Sequence, residues 1–234
     1  MNNEMINFYE NRGVKQNLIQ YENPNYNLTQ MKHPFYAGLI GCSGCGKTNS
    51  LINLIYLMSK GKGTWSHIHV VHKMEENLYE FMKEKIGDGI TFYKNISDLP
   101  SPEKIDVKGQ SLIIFDDQIA EGRRTQQIIM DWFIRSRKLG KVGFSCIILS
   151  QSYYPIPIVI RQQFHYLLVF KVRQTRDIKA ILKDAGKAGM DQNDLMDMYK
   201  DATNAQFNFL KIDLNAKDIN KTFSKNFTDF YQLK

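Results

Sequence analysis

Eight consecutive residues near the start of the chain have the types and spacing needed to hold phosphate. Residues 41–48 read Gly-Cys-Ser-Gly-Cys-Gly-Lys-Thr, which fits the phosphate-loop spacing G-x-x-x-x-G-K-[ST]. Glycines at these positions let backbone N–H groups approach phosphate oxygens closely. Lys47 can reach the outer phosphates, and the Thr48 hydroxyl can ligate Mg²⁺. The stretch therefore predicts a binding site for a nucleotide and its metal ion.

The residues on either side of this loop predict the elements that must position it. An apolar run at residues 35–40 suits a buried strand, and apolar residues at helical spacing follow at 51–58. A helix that begins at the loop aims its N-terminal N–H groups at the same anion. We assign nucleotide binding to the whole turn between strand and helix: Gly41, Cys42, Ser43, Gly44, Cys45, Gly46, Lys47, Thr48 and Asn49.

A second chemical feature is a pair of acids after an apolar run. Residues 111–117 read Ser-Leu-Ile-Ile-Phe-Asp-Asp, which matches a Walker B strand. An acid at the carboxyl end of such a strand helps to hold Mg²⁺ opposite the phosphate loop. We therefore assign Asp116, with Thr48, to the metal, and Asp117 to the attacking water as general base or water-positioning group. The alternative interpretation is a plain Asp-Asp turn after a core strand.

Apolar runs and helical patterns alternate along the rest of the chain. Further strands are predicted at 66–72, 90–93, 144–149, 165–172 and 207–214, and helices at 75–86, 125–139, 176–183 and 191–199. Nearly all the strands are apolar throughout, so we expect an α/β fold with a mainly parallel sheet, helices on both faces and an edge strand near the C-terminus. The predicted organisation is an N-terminal arm at 1–33, a core at 34–214 and a C-terminal tail at 215–234.

Composition and charge narrow the class of protein. The chain has 234 residues, 43% of them hydrophobic, and no apolar run approaches the roughly 20 residues of a membrane span. The first residues lack the features of a signal peptide, so we expect an intracellular protein without membrane insertion. The formal net charge of +7 permits nucleic-acid binding. Two groups of basic residues carry much of it: Arg123, Arg124, Arg135, Arg137, Lys138 and Lys141; and Arg161, Lys171, Arg173, Arg176, Lys179, Lys183 and Lys187.

The order of these features resembles one family. After the acids come a basic segment at 135–141, an apolar strand that ends at Ser150-Gln151, an Ile160-Arg161 pair and another strand. This order resembles the FtsK–HerA superfamily, and most closely the genome-packaging ATPases of large double-stranded DNA viruses and their satellite viruses. The resemblance covers residues 35–214, and it implies a RecA-like P-loop NTPase fold.

The resemblance also implies roles for individual residues. Lys47 and Thr48 would bind ATP and Mg²⁺, and Asp116 would be the Walker B acid. Gln151 would sense the γ-phosphate, and Arg137 would lie near the position of the arginine finger.

The chain departs from the family pattern at two places. Many members have Glu where this chain has Asp117, which is one methylene shorter. The basic segment is also further from Gln151 than in bacterial FtsK-type motors, so Arg135 and Lys141 are alternatives to Arg137 as the finger.

As an expectation from the family, the chain is a motor ATPase that moves double-stranded DNA into a capsid. It would act as a homo-oligomeric ring, pentameric or hexameric, with capsid vertex proteins as partners, in the host cytoplasm or in association with the virion. Two alternatives stay open on the residues alone. One is a small-molecule or nucleotide kinase with the same loop, and the other is a non-catalytic module in which nucleotide stabilises an assembly.

Overall fold

The alternating apolar runs and helices form one nine-stranded sheet with helices against it. The structure is a computed structural model that describes residues 6–11, 23–61, 63–74, 76–105, 109–139, 142–186 and 191–232. The strands are β1 Tyr36–Ile40, β2 His67–Val71, β3 Ile90–Tyr93, β4 Ser111–Asp116, β5 Phe144–Ser150, β6 Tyr166–Val169, β7 Leu210–Asp213, β8 Phe223–Lys225 and β9 Asp229–Phe230. The helices are α1 Tyr26–Thr29, α2 Lys47–Ser59, α3 Asn77–Ile86, α4 Arg123–Arg135, α5 Ile158–Arg161, α6 Thr175–Ala185 and α7 Gln192–Ala202.

The strand order explains how distant parts of the chain meet. The order is β3-β2-β4-β5-β1-β6-β7-β8-β9, and the pairs from β3 to β6 are parallel. Ile40 at the end of β1 is level with Ser150 and Val169, and Asp116 at the end of β4 is level with Leu149. The carboxyl ends of β4, β5, β1 and β6 therefore lie along one border of the sheet, here called the carboxyl border. The opposite border, where these strands begin, is the amino border.

Both faces of the sheet are buried, which is why the strands are apolar throughout. Tyr36 and Ile40 of β1 pack on the face covered by α4, α6 and α7, whereas Ala37 and Leu39 pack on the face covered by α2 and α3. The apolar side of α2 meets the second face through residues at helical spacing, Leu51, Leu54, Ile55 and Met58. This packing fixes the first turn of α2 at the end of β1.

The C-terminal part of the sheet is larger than the sequence predicts. The strand predicted at 207–214 is present as β7, but it is not the last strand, because β8 and β9 add to it in antiparallel pairs. The strand at the sheet's limit is thus β9, with only two residues. Strands of two or three residues are too short to show a period in the sequence, so the pattern gave no sign of them.

One buried lysine joins this part of the sheet to the beginning of the described chain. Lys211 of β7 is 1% exposed, and its amino group donates to the carbonyl oxygens of Thr29 at 3.1 Å and Phe227 at 2.6 Å. Burial lowers the pKa of Lys211 to about 8. Asn25 also holds the N-terminal segment, since its amide donates to the carbonyl oxygens of Met58 and Lys60 at the end of α2. No helix among the described residues has the length and apolar character needed to cross a bilayer.

Candidate nucleotide-binding site

The predicted phosphate loop forms the turn between β1 and α2. Gly44 and Gly46 have φ angles of 75° and 104°, in the left-handed region that favours glycine. At Gly41 a Cβ atom would lie 2.5 Å from Cβ of Phe170 and 2.7 Å from Sγ of Cys45. Side chains are thus excluded at the points where the loop turns most tightly. The result is a concave backbone surface of the kind that binds anions.

Lys47 is the first residue of α2 and lies beneath the loop. It is 8% exposed, and its amino group donates to the carbonyl oxygens of Gly41 at 2.8 Å and Cys42 at 3.2 Å. Its partners are neutral carbonyls, so its charge remains available to an incoming phosphate. Thr48 and Asn49 follow in the same first turn, the former half-buried and the latter exposed. The helix N-terminus and the ammonium group together make this turn strongly attractive to anions.

Asp116 ends β4 on the same border of the sheet, where it meets a tyrosine that no sequence pattern indicated. The hydroxyl of Tyr79, from α3, donates to Oδ2 of Asp116 at 2.7 Å, and Tyr79 is 3% exposed. Burial, and to a lesser degree the charge of Asp117, raises the pKa of Asp116 to about 6, whereas the Tyr79 hydrogen bond acts to lower it. Tyr79 therefore holds the carboxylate in one orientation and favours its ionised form.

The next acid is in contact with the predicted sensor residue. Nε2 of Gln151, directly after β5, donates to Oδ2 of Asp117 at 2.8 Å, and both side chains are exposed. The backbone N–H of Asp117 donates to the carbonyl oxygen of Leu149 at 3.1 Å. Asp117 has a φ angle of 49°, a conformation that is uncommon outside glycine and that is found at functional sites when the surroundings hold it. The structure thus brings together two residues that the sequence places on different strands.

A small cavity of about 190 Å³ adjoins Gln151. Ser43 of the phosphate loop, Gln151 and Arg173 contribute to its lining. In the sequence Arg173 is only one member of a basic group, whereas its position after β6 brings its side chain beside the loop. Asp177, also at this cavity, is buried and accepts from the Ser152 hydroxyl at 2.7 Å.

The sequence matches a family model that covers most of the chain. The model is described as "Poxvirus A32 protein", and it matches residues 25–213. The chain belongs to the poxvirus A32 protein family. The matched range contains the phosphate loop, both acids, Gln151 and Arg137. No curated protein sequence matches this member of the A32 family.

Solved structures similar to this A32-family chain include a genome packaging NTPase and the ATPase domains of EssC. The genome packaging NTPase B204 from Sulfolobus turreted icosahedral virus 2, in complex with AMPPCP, has a TM-score of 0.56 at 14% identity, over 84% of this chain and 98% of that one. B204 from Sulfolobus turreted icosahedral virus has a TM-score of 0.54 at 16% identity, with the same coverage. EssC (ATPases 2 and 3) from Geobacillus thermodenitrificans has a TM-score of 0.56 at 8% identity, over 85% of this chain and 40% of that one. At these identities the similarities bear on the fold, and they confirm the RecA-like P-loop architecture.

The basic segment of this A32-family chain lies away from its own phosphate loop. A Cβ atom on Gly143 would lie only 2.6 Å from the backbone carbonyl oxygen of Arg137, so the two residues are adjacent. Burial, and to a lesser degree the charge of Arg137, lowers the pKa of His165 to about 4. Gly143 and His165 precede β5 and β6, so Arg137 is exposed at the amino border of the sheet.

The two alternatives to Arg137 are placed differently. Arg135 forms an ion pair with Glu103 on the surface. Lys141 lies outside the described residues. Neither Arg135 nor Arg137 is brought to the phosphate loop of the same chain by the fold, since α4 runs from the carboxyl border to the amino border.

Proposed function

We propose that this chain is a viral genome-packaging ATPase, which hydrolyses ATP to move double-stranded DNA into a capsid. The observation that carries the proposal is the hydrogen bond between Gln151 and Asp117 beside the phosphate loop. It places a carboxylate and an amide on the side of the loop that also bears Asp116. Membership of the poxvirus A32 family and the fold shared with B204 support the same function.

The residues present suit a magnesium ion. The Thr48 hydroxyl and the Asp116 carboxylate are oxygen donors, the type that Mg²⁺ prefers. The pKa of Asp116 is raised by burial, so a bound cation would compensate for the cost of burying its charge. Mg²⁺ held by these two residues would neutralise phosphate charge during transfer.

Three side chains carry out the other parts of the proposed hydrolysis. Lys47 binds the outer phosphates and offsets the negative charge that develops on them. Asp117 accepts the proton of the attacking water, and Gln151 fixes the orientation of that carboxylate. The arrangement activates water without requiring an acceptor molecule, and for this reason we favour hydrolysis over phosphoryl transfer by a kinase.

Phosphate release with and without duplex DNA tests the proposal directly. We expect hydrolysis by the wild-type chain without any acceptor metabolite, and faster hydrolysis when duplex DNA is added. A requirement for a small-molecule acceptor would favour the kinase. Nucleotide binding without hydrolysis under any condition would favour the non-catalytic module.

The proposed DNA contacts come from exposed cations near the carboxyl border. Arg173 and Lys179 are exposed, whereas Arg161 is half-buried and pairs with Asp184 at 2.9 Å, so we assign Arg161 a structural role. A packaging motor must bind any sequence through its phosphates. Its DNA affinity should therefore fall steeply as salt rises. An affinity that barely changes between low and physiological salt would contradict these contacts.

We propose further that the active form is a ring, pentameric or hexameric, in the host cytoplasm, docked on capsid vertex proteins. Arg137 at the amino border would then act on the nucleotide of a neighbouring subunit as its arginine finger, an interaction worth roughly 10³–10⁵ in rate in well-studied NTPases. Mixed rings test this idea. Arg137→Ala and Lys47→Ala subunits should each be inactive alone and regain partial activity when mixed, because an intact loop can then face an intact finger. Normal ATP hydrolysis by Arg137→Ala would show that Arg137 is not the arginine finger.

A further inference from the structure

A second cavity lies on the other side of the phosphate loop. It encloses about 300 Å³ and is lined by residues 42–45, by Lys171 after β6, and by residues 203–208 between α7 and β7. The acids and Gln151 are not among its lining residues. None of residues 203–208 has a role in the hydrolysis described above.

Phe207 is the most unusual residue of this cavity. Its φ angle is 69°, in a region that bulky residues rarely occupy and that costs free energy to maintain. Its side chain is 48% exposed. A Cβ atom on Gly46 would lie only 2.6 Å from Cδ1 of Phe207, so the ring lies directly against the loop. The fold thus holds an aromatic ring in a strained conformation beside the phosphate loop, with half of its surface open.

The strand order gives the direction in which a bound nucleotide must run. Asp116 ends β4, and Asp117 and Gln151 directly follow β4 and β5, which lie on one side of β1. The phosphate that is cleaved must face these residues. The nucleoside at the other end of the triphosphate then extends toward β6 and β7, on the opposite side of β1. That is the side where Phe207 and its cavity lie.

We infer that Phe207 is the platform on which the base of the bound nucleotide stacks, with the ribose in the cavity beside Lys171. The inference rests on the proposed function, because it assumes that the phosphate loop binds a nucleoside triphosphate. Stacking on an aromatic face depends little on which base is present. Phe207 therefore supplies affinity for the nucleoside as such, and ATP and GTP should depend on it to a similar degree.

The experiment compares a ligand that has a base with one that lacks it. Calorimetric titration measures binding of ATP and of inorganic tripolyphosphate to the wild type and to Phe207→Ala. We expect about 10-fold weaker ATP binding in the variant, the order of effect typical of a lost base stack. Tripolyphosphate has no base to stack, so its affinity should stay within about twofold.

Three further variants separate the ring from its backbone conformation. Phe207→Gly removes the ring and accepts the positive φ angle, so it should weaken ATP binding as Phe207→Ala does. Phe207→Trp keeps an aromatic face, so it should bind ATP about as tightly as the wild type. Phe81→Ala is the matched control, because Phe81 is also 48% exposed but lies on α3 and does not line the cavity. Thermal melts should show that every variant is folded.

The outcomes are distinct. Equal weakening of ATP and tripolyphosphate in Phe207→Ala would show that the ring supports the phosphate loop, and tighter binding of both would show that it obstructs the loop. Either result overturns the inference, as does unchanged ATP affinity. Those results would leave ATP hydrolysis by the wild type intact, whereas a wild-type chain that binds tripolyphosphate and no nucleotide would overturn the proposed function itself.

Discussion

The two sides of β1 are built differently. On the side of β5 and β4, the proposed functional groups lie at the ends of parallel strands or directly after them, as Asp116 and Gln151 do. On the side of β6 and β7, Phe207 lies in an irregular loop before an antiparallel strand, and the sheet is held by the buried Lys211. We therefore propose that the first side controls the chemical step, while the second controls binding of the nucleoside and the stability of the sheet.

The largest expected effect comes from the residue shared by both sides. Lys47→Ala should reduce phosphate release by at least about 10³-fold, because little else in the loop carries charge to offset that of the phosphates. Circular dichroism and thermal melts should show an intact fold. Lys60→Ala, at the other end of α2 and exposed, is the control and should be as active as the wild type. Near-wild-type turnover of Lys47→Ala would show that this loop is not the site of ATP hydrolysis.

Changes to Asp117 and Gln151, on the β4–β5 side, should affect the chemical step without weakening nucleotide binding. Asp117→Asn should lower kcat by about 10²-fold at unchanged ATP affinity, since only the transition state needs that carboxylate. Gln151→Ala should spare binding in the same way and loosen the link between hydrolysis and DNA movement. Asp116→Asn provides the contrast, since it should lose affinity for Mg²⁺-ATP. If Asp117→Asn and Asp116→Asn lose affinity equally, the proposed division between the two acids is wrong.

A smaller effect that depends on pH is expected at Tyr79. Its hydrogen bond lowers the pKa of Asp116, so Tyr79→Phe should raise that pKa above the wild-type value of about 6. Metal binding needs the ionised carboxylate, so the variant should lose Mg²⁺-ATP affinity at a higher pH than the wild type.

Titrations at pH 8 and pH 6 measure this effect. The ratio of wild-type to variant affinity should grow as the pH falls, because protonation competes earlier in the variant. Tyr93→Phe removes a hydroxyl that pairs with His69 and should leave the pH profile unchanged. An affinity ratio that is the same at both pH values would show that Tyr79 does not lower the pKa of Asp116.

The smallest effect on activity is expected on the other side, at Lys211. Lys211→Met should change hydrolysis at pH 8 by less than about twofold, since the residue lies in β7 behind the cavity loop. Burial lowers the pKa of Lys211 from 10.5 to about 8, so between these values the unfolded chain binds more protons than the folded one. The free energy of unfolding of the wild type, relative to Lys211→Met, should therefore rise from pH 8 to pH 10. Urea unfolding at several pH values tests this, and a constant difference would contradict it.

The comparison also explains what the sequence could predict. The phosphate loop, the paired acids and the strand ending at Gln151 depend on fixed residue types at fixed spacings, and their strands have clear apolar patterns. Tyr79 could not be found in this way, because it reaches Asp116 from another element 37 residues away. Phe207 gave no signal either, since its position depends on a backbone angle that no residue pattern indicated. The role of Arg137 stays a prediction that the fold permits only between subunits.

The short strands after β7 have a practical consequence for shortened versions of this protein. A chain cut at residue 214, where the sequence suggests that the core ends, would lose β8 and β9 and leave the main-chain groups of β7 unpaired. It would also lose the Phe227 carbonyl that accepts from Lys211. Unpaired strands of this kind recruit other chains and aggregate. Expression of the ATPase should therefore retain the sequence through Phe230.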